Sequence, residues 1–319
     1  MAIYTDDPLN AALLVELEPI VEVEVNRHFA MAKEWMPHEY VPWSEGKTFG
    51  GVLDGTPWEP TEQRFSDAAR TSLIVNLLTE DNLPSYHREI SRGVGGIRND
   101  GAWSTWVGRW TAEEGRHGQA IRDYLLVTRS VDPVALERMR MTHMTEGFTA
   151  IHDGALHGVA YVSFQELATR VSHRNTGIAT NDPIADQLLQ RIAADENLHM
   201  IFYRNVMGAA IDLQPDRAMR AITDTIKDFA MPGYGIEGFG RMALQIAVEG
   251  IYDLRQHKDD VLAPVLRHWR IFERTDFGPE GEQARDELAA FLETTEQSAV
   301  RFEDKRDAFK ARLAARAEK

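Results

Sequence analysis

Two copies of a short Glu-x-x-His pattern constrain this chain more than any other feature of its sequence. Glu114 is followed three residues later by His117, and Glu196 is followed in the same way by His199. Both copies lie in segments that we predict to be helical. Residues three apart share one face of a helix, so each pair directs a carboxylate and an imidazole to the same side. A fold that uses both pairs has to place the two helices next to each other.

A further glutamate precedes each pair at a similar distance. Glu80 lies 34 residues before Glu114, and Glu166 lies 30 residues before Glu196. Such a separation corresponds to one helix, a turn and half of the next helix. Two helices with Glu-x-x-His and two with a single Glu form the dinuclear iron site of four-helix carboxylate proteins. A lone Glu-x-x-His is more often part of a solvated helix face, but the duplicated arrangement favours a metal site.

Helix signals recur along the chain, whereas no stretch alternates with the period of a strand, so we predict an all-α fold. Asp-Pro pairs at residues 7–8, 132–133 and 182–183 place a capping carboxylate before a first-turn proline. The predicted helices cover about residues 8–34, 61–80, 102–129, 133–148, 159–175, 183–213, 215–230, 240–274 and 280–319.

Three kinds of helix breaker separate these segments. The stretch 35–60 is rich in Pro, Gly and Trp and predicts a loop. Pro84 predicts a bend or break just beyond Glu80. Glycines at positions 93, 95 and 96 predict a turn, and a second glycine-rich turn is predicted at 231–235.

The composition excludes several classes of protein. The chain has no cysteine, which excludes disulfides, iron–sulfur clusters and thiol nucleophiles. A net charge of −15 argues against a general nucleic-acid binder. Residues 1–7 lack the features of a signal peptide, and no apolar run approaches the length of a membrane span. We predict a cytoplasmic, single-domain protein over residues 1–319, with a core at about 8–275 and a charged C-terminal helix or tail at about 280–319.

Five stretches together make the chain resemble the soluble acyl-acyl-carrier-protein (acyl-ACP) desaturases of the stearoyl-ACP Δ9 type. They lie at residues 78–86, 110–118, 163–166, 172–176 and 192–196, within a resemblance that covers roughly residues 16–285. The resemblance implies a ferritin-like four-helix bundle with additional helices.

The same resemblance implies an activity and its partners. The activity is O₂-dependent insertion of a cis double bond into an acyl chain carried on acyl carrier protein, with two Fe²⁺ ions per chain. Removing hydrogen from an unactivated C–H pair demands an oxidant stronger than any side chain, and a metal cofactor supplies it. Reduced ferredoxin is the implied electron donor, and the implied assembly is a homodimer.

All six iron-ligand positions of the family are occupied in this sequence. The resemblance assigns Glu114 and Glu196 as bridges between the two irons. It assigns one iron to Glu80 and His117, and the other to Glu166 and His199. Carboxylate and imidazole side chains are suitable ligands for iron. The six ligand residues are Glu80, Glu114, His117, Glu166, Glu196 and His199.

Two further residues match functional positions of the family, and a third is a candidate because of its place in the sequence. Thr169 matches a hydroxyl near the oxygen site, and Trp35 matches a tryptophan on the electron route. Asp195 precedes the ligand Glu196 and could orient a ligand histidine. We therefore predict a hydrogen-bonded chain that runs from the surface through Trp35, Asp195 and His117 to one iron.

We interpret other histidines, such as His87, His143, His152 and His173, as structural or solvated.

Acyl carrier protein is acidic, so an enzyme with a net charge of −15 needs a local basic patch to bind it. Arg267, Arg270 and Arg274 are candidates for that patch, or else they are scattered surface arginines paired with Glu273 and Asp276.

Four alternative functions are compatible with parts of this pattern. A ribonucleotide-reductase small subunit would need a tyrosine at the position of Ile121. An iron-storage protein of the ferritin type would have no use for the helices after residue 215. A non-catalytic carrier-binding homologue would be expected to have lost a ligand. A di-iron hydroxylase or N-oxygenase would use the same pattern of metal ligands, so this function remains as the alternative.

Overall fold

The computed structural model describes residues 8–91 and 101–317, and these form an all-α structure. The helices are α1 (Pro8–Met31), α2 (Asp67–Asp81), α3 (Leu83–Ile90), α4 (Ala102–Val127), α5 (Pro133–Glu146), α6 (Ala155–Thr180), α7 (Pro183–Leu213), α8 (Pro215–Lys227), α9 (Phe239–Val248), α10 (Leu254–Gln256), α11 (Ala263–His268) and α12 (Pro279–Ala317). The predicted fold class is confirmed. The predicted turn at residues 93–96 and the cap at Asp7 lie outside the described residues.

Local capping explains why several predicted helix starts are correct. Asp182 accepts hydrogen bonds at Oδ1 from the backbone N–H groups of Ile184 and Ala185, at 2.9 and 3.0 Å, and Pro183 follows as the first residue of α7. Asp132 caps α5 in the same way. Such caps satisfy backbone donors that have no partner within the helix.

Several predicted helices differ from the structure in their limits, and α6 covers Ala155–Thr180 rather than about 159–175. α2 begins at Asp67 rather than near residue 61, because Ser66 caps it and Pro60–Glu62 forms a separate 3₁₀ turn. The segment predicted as one helix over 240–274 is broken after α9. Gly250 there adopts a φ of +75°, and Asp253 caps the next helix.

The segment predicted as one helix over 240–274 also ends earlier than predicted. α10 continues through a π-helical turn, His257–Leu262, into α11, which ends at His268. Arg270 then takes a left-handed φ of 55°, a conformation that does not continue a right-handed helix. As predicted, Pro84 coincides with a break, since α2 ends at Asp81 and α3 begins at Leu83.

The helices α2, α4, α6 and α7 pack around a buried interior, with α6 lying along α7 and α1 covering α4 and α7. One large core cluster joins α1, α4, α6, α7 and α8, and a second joins α2, α4 and α7. α12 packs against α8 through its first half, where Ala284 and Leu288 are fully buried, and its last turns are exposed. The bundle therefore aligns the helices that carry the predicted ligands.

No helix in the described part of the chain combines the length and apolar character needed to cross a lipid bilayer.

Candidate metal centre

The six predicted ligands meet in the interior of the bundle. They come from four helices, and all are buried, with no more than 8% of any of them exposed. They are Glu80 of α2, Glu114 and His117 of α4, Glu166 of α6, and Glu196 and His199 of α7. The helical spacing of each Glu-x-x-His pair is the reason that both of its members point inward.

The ligand atoms form two sets that share Glu114 and Glu196. One set adds Glu80 and His117, and we call it the His117 half-site. In each set, one ligand atom from every residue lies within 4.8 Å of the others. His117 Nδ1 lies 3.1 Å from Glu196 Oε1, and 3.7 Å from both Glu80 Oε2 and Glu114 Oε2.

The second set adds Glu166 and His199, and we call it the His199 half-site. His199 Nδ1 lies 2.9 Å from Glu114 Oε1, 3.6 Å from Glu196 Oε2 and 3.7 Å from Glu166 Oε2. The structure therefore places the two shared glutamates between the two histidines. Glu114 and Glu196 therefore belong to both sets, and each of the other four residues belongs to one.

The buried atoms at the centre lack hydrogen-bond partners of suitable geometry. They are Nδ1 of His117 and His199, Oε2 of Glu80, Oε1 of Glu114, and both carboxylate oxygens of Glu196. Leaving a buried polar atom without a partner costs about 1–3 kcal/mol. A pair of metal ions would satisfy all of these atoms at once, and the mixture of carboxylate oxygen and imidazole nitrogen suits iron. The residues present thus fit the implied di-iron group.

The pKa values of the glutamates at the centre also favour bound metal ions. Burial raises the pKa of Glu114 to about 7, with the nearby charges of Glu196 and Glu80 adding to the effect. Burial and the charges of Glu114 and Glu196 also hold the pKa of Glu166 well above its usual value. Four carboxylates packed this closely cannot all ionise without a cation nearby, so metal ions would replace the protons that the metal-free site retains.

The predicted contacts of Asp195 behind His117 are present. Trp35 Nε1 donates to Asp195 Oδ2 at 2.7 Å, and His117 Nε2 lies 3.4 Å from the same oxygen. Arg116 donates to this oxygen at 2.9 Å, and Arg191 donates to Oδ1. Although burial opposes it, the hydrogen bond with His117 and the neighbouring groups lower the pKa of Asp195 to about 2. The ionised carboxylate can only accept, so His117 donates from Nε2 and keeps Nδ1 for a metal.

Trp35 itself is not at the surface, in contrast to the predicted chain that starts there. Only 3% of Trp35 is exposed. The guanidinium of Arg116 covers its ring at 4.4 Å, and the side chain of Arg116 is 19% exposed. The outer end of this chain is therefore formed by Arg116 stacked on Trp35.

Sequence reasoning missed a matching carboxylate behind His199. Glu113 Oε2 lies 3.0 Å from His199 Nε2 and 2.9 Å from Nε2 of His28, a residue of α1. Arg109 contacts the other oxygen of Glu113 at 2.5 Å. The hydrogen bonds from His199 and His28 overcome the effect of burial and keep the pKa of Glu113 far below its usual value. The signal was available, since Glu113 precedes Glu114 as Asp195 precedes Glu196.

The terminal glutamates also have buried partners. His173 Nε2 lies 2.8 Å from Glu80 Oε1, and Trp110 Nε1 donates to Glu166 Oε1 at 3.0 Å. His173 is fully buried. Of the two predicted alternatives for His173, the burial excludes a solvated ring and agrees with a structural one, and this ring contacts a predicted ligand carboxylate directly.

A cavity of about 680 Å³ leads to the candidate centre. Its wall includes Glu80, Glu114 and Thr169. Thr169 accepts a hydrogen bond from Gln165 at 2.9 Å, and 8% of the residue is exposed. The apolar and aromatic part of the wall includes Ile90, Phe148, Val159, Tyr161, Val162 and Met231. An apolar cavity with a few convergent polar groups is typical of a small-molecule site.

Comparisons with known proteins agree with this geometry. A family model described as fatty acid desaturase matches residues 10–318. A Mycobacterium tuberculosis protein provisionally named acyl-[acyl-carrier-protein] desaturase DesA1 is 54% identical over 299 residues, which cover 91% of this chain and 87% of the relative. The chloroplastic stearoyl-[acyl-carrier-protein] 9-desaturase of Simmondsia chinensis is 28% identical over 88% of this chain and 73% of the relative.

A solved structure shows the same fold. It is that of the M. tuberculosis H37Rv protein provisionally named acyl-ACP desaturase DesA2, with a TM-score of 0.70 and 29% sequence identity. The similarity covers 86% of this chain and 99% of DesA2. Family model, relatives and fold therefore lead to one conclusion: the chain belongs to the fatty acid desaturase family, among the acyl-ACP desaturases, and is an oxidoreductase.

Proposed function

We propose that this enzyme introduces a cis double bond into an acyl chain carried on acyl carrier protein, using O₂, a di-iron centre and electrons from ferredoxin. The observation that carries the proposal is the pair of overlapping four-residue ligand sets, of which Glu80 and Glu114 line an apolar cavity. The names of the relatives support the carrier-bound substrate and favour desaturation over the hydroxylase or N-oxygenase alternative.

In this proposal Glu114 and Glu196 would help to hold both Fe²⁺ ions. Glu80 and His117 would hold one iron, and Glu166 and His199 would hold the other. When bound, the iron pair supplies the oxidising power that removal of hydrogen from an unactivated C–H bond requires. The chain's own part is to hold these ligands in position and to keep the reacting segment of the substrate away from water.

The cavity wall does the positioning. An acyl chain buried against residues such as Val159, Val162 and Met231 gains roughly 0.8 kcal/mol for each CH₂ removed from water. The substrate carbon that reacts is then the one that the cavity places beside Glu80 and Glu114. We assign to Thr169 a role next to the oxygen site, because its hydroxyl lies in the same wall.

Electrons are proposed to enter through Trp35, Asp195 and His117, with Arg116 at the outer end. The supporting contacts are the hydrogen bond from Trp35 to Asp195 and the approach of Asp195 to His117. The resemblance further implies a cytoplasmic homodimer and a single catalytic domain, and we propose both on that ground.

Two of the three arginines predicted to form a docking patch for acyl carrier protein are engaged in ion pairs. Arg270 pairs with Glu273 at 2.8 Å, and Arg274 pairs with Asp276 and Asp212 at 2.5 and 2.8 Å. These ion pairs reduce the positive potential that an acidic partner would meet. For Arg270 and Arg274 this supports the interpretation as scattered, paired surface arginines, and Arg267 stays a candidate for the patch.

One experiment tests the proposal as a whole. The purified chain, loaded anaerobically with Fe²⁺, is expected to hold two irons, and with stearoyl-ACP, reduced ferredoxin and O₂ to yield a product two mass units lighter. Mass spectrometry after derivatisation would locate the double bond and separate desaturation from hydroxylation, which adds sixteen mass units. If the protein binds two irons but yields only a hydroxylated product, the proposed desaturation is wrong. If it binds no iron, the proposed di-iron centre is wrong.

A further inference from the structure

His28 lies at the candidate centre although no predicted ligand is on its helix. It belongs to α1, is 1% exposed, and has no assigned function. Its Nε2 lies 2.9 Å from Oε2 of Glu113. The same carboxylate oxygen lies 3.0 Å from Nε2 of His199, so two imidazoles converge on one oxygen atom.

The convergence on Glu113 defines which ring nitrogen carries a proton. An ionised carboxylate accepts hydrogen bonds and cannot donate them. Both His28 and His199 therefore donate from Nε2. Nδ1 of His199 faces the shared glutamates, at 2.9 Å from Glu114 Oε1 and 3.6 Å from Glu196 Oε2, and is the atom that would bind a metal. A carboxylate behind a ligand imidazole selects the tautomer and orients the ring in this way.

Ring packing holds the same arrangement. The rings of His28 and His199 are stacked, with centroids 5.7 Å apart and an interplanar angle of 26°. Trp106 meets both edge-on, at 5.1 Å from His28 and 5.9 Å from His199. Trp106 is fully buried, so the ring of His28 has little room to turn away from Glu113.

We propose that His28 is a positioning residue for the His199 half-site: it donates to Glu113, which in turn holds His199 in the tautomer and orientation that bind a metal. The inference rests on the proposed di-iron function. His28 lies outside the four helices that carry the predicted ligands. The position of α1 would therefore affect metal affinity in the His199 half-site.

Arg109 does not substitute for His28. It contacts Oε1 of Glu113, whereas His28 and His199 share Oε2. The side chain of Arg109 is also 37% exposed, and exposed ion pairs stabilise a geometry weakly. Among the described residues, loss of His28 would leave His199 as the one side chain at hydrogen-bond distance from Oε2, with Arg109 still at Oε1.

The test uses Co²⁺ as a probe, because its d–d absorption reports each binding event in the metal-free protein. Wild type is expected to bind two Co²⁺ ions. His28→Phe keeps the aromatic packing but removes the donor, and it is expected to weaken one of the two binding steps by about 10- to 100-fold. His28→Gln keeps an N–H donor and is expected to restore most of that loss.

Trp35→Phe is the matched control in the other half-site. Asp195 keeps two arginine donors after this change, so both Co²⁺ affinities are expected to stay within about threefold of wild type. Unchanged affinities in His28→Phe would overturn the proposal for His28. A wild-type chain that binds fewer than two Co²⁺ ions would instead count against the di-iron function itself.

A measurement on the wild type decides the matter even where a variant fails to fold. In the Zn²⁺-loaded chain labelled with ¹⁵N-histidine, His28 and His199 are both expected to carry a proton on Nε2. Assignment by comparison with His28→Gln, or by through-space contacts to Trp106, identifies the two rings. A bare Nε2 on His28 contradicts the proposed donation to Glu113.

Discussion

The two half-sites use the same ligands but surround them differently. In the His117 half-site, Trp35 donates to the carboxylate behind the histidine, and His173 contacts the terminal glutamate Glu80. In the His199 half-site these ring types are exchanged. His28 contacts the carboxylate behind the histidine, and Trp110 donates to Glu166.

This exchange shows where the internal symmetry of the centre ends. The repeated Glu-x-x-His pattern, with an acid before each Glu, extends as far as Asp195 and Glu113. Beyond these carboxylates the two networks diverge. Asp195 connects to the indole of Trp35 and to Arg116, whereas Glu113 connects to the buried ring of His28 and, at its other oxygen, to Arg109. We infer that the first network suits electron entry and the second suits the rigid holding of a ligand.

The largest effect is expected from removing a ligand. Glu114→Ala takes a carboxylate from both half-sites, and His199→Ala takes an imidazole from one. Both should abolish turnover, and Glu114→Ala should lower the iron content at least as much as His199→Ala. Iron per chain and product yield check this. Full activity in Glu114→Ala would show that these residues do not form the catalytic metal site.

A smaller and more informative effect is expected behind the histidines. Asp195→Asn and Glu113→Gln each remove the charge that holds a ligand imidazole, a change that typically costs 10- to 100-fold in metal affinity or activity. We expect Asp195→Asn to impair turnover more than iron loading, and Glu113→Gln to impair loading at least as strongly as turnover. Equal behaviour of the two variants would mean that the half-sites are functionally alike.

Trp35→Phe should have a milder effect that depends on the electron donor. The variant is expected to keep two irons and acyl-ACP binding, because Asp195 retains Arg116 and Arg191. Turnover supported by ferredoxin should slow, and chemical reduction of the irons should partly restore a single turnover. Unimpaired turnover at limiting ferredoxin would exclude Trp35 from the electron route.

The smallest expected effect concerns the metal-free protein and pH. Burial raises the pKa of Glu114 to about 7, so the folded chain binds protons that the unfolded chain has released. Stability from this group is complete below its unfolded pKa of about 4.5 and is lost as pH rises through 7, by on the order of a few kcal/mol. The melting temperature of the metal-free chain should therefore fall between pH 5 and 8.

The same titration distinguishes the half-sites. Burial raises the pKa of Glu166, whereas at Glu80 the nearby imidazoles of His117 and His173 outweigh burial and the charge of Glu196 and lower the pKa. Glu166→Gln should therefore flatten the fall of the melting temperature with pH more than Glu80→Gln does. Identical slopes in both variants, measured by calorimetry without metal, would show that the protons are shared evenly.

Helix periodicity and capping made much of the bundle predictable. The predicted limits 183–213 agree with α7, because Asp182 and Pro183 form a complete local start signal. The break at Gly250 inside the predicted 240–274 helix was missed. A single glycine is tolerated within many helices, and only the packing of the flanking segments decides whether the chain turns there.

The sequence by itself determined which side chains share a helix face, and hence that each Glu-x-x-His pair directs its two ligands the same way. Spacing along a helix is a local property, so it needs no knowledge of the neighbours. Only the tertiary structure decided that His28 meets Glu113, that His173 meets Glu80, and that an apolar cavity ends at the ligands. These contacts join residues from 85 to 93 positions apart, and their pairing depends on how the helices pack rather than on any pattern within one of them.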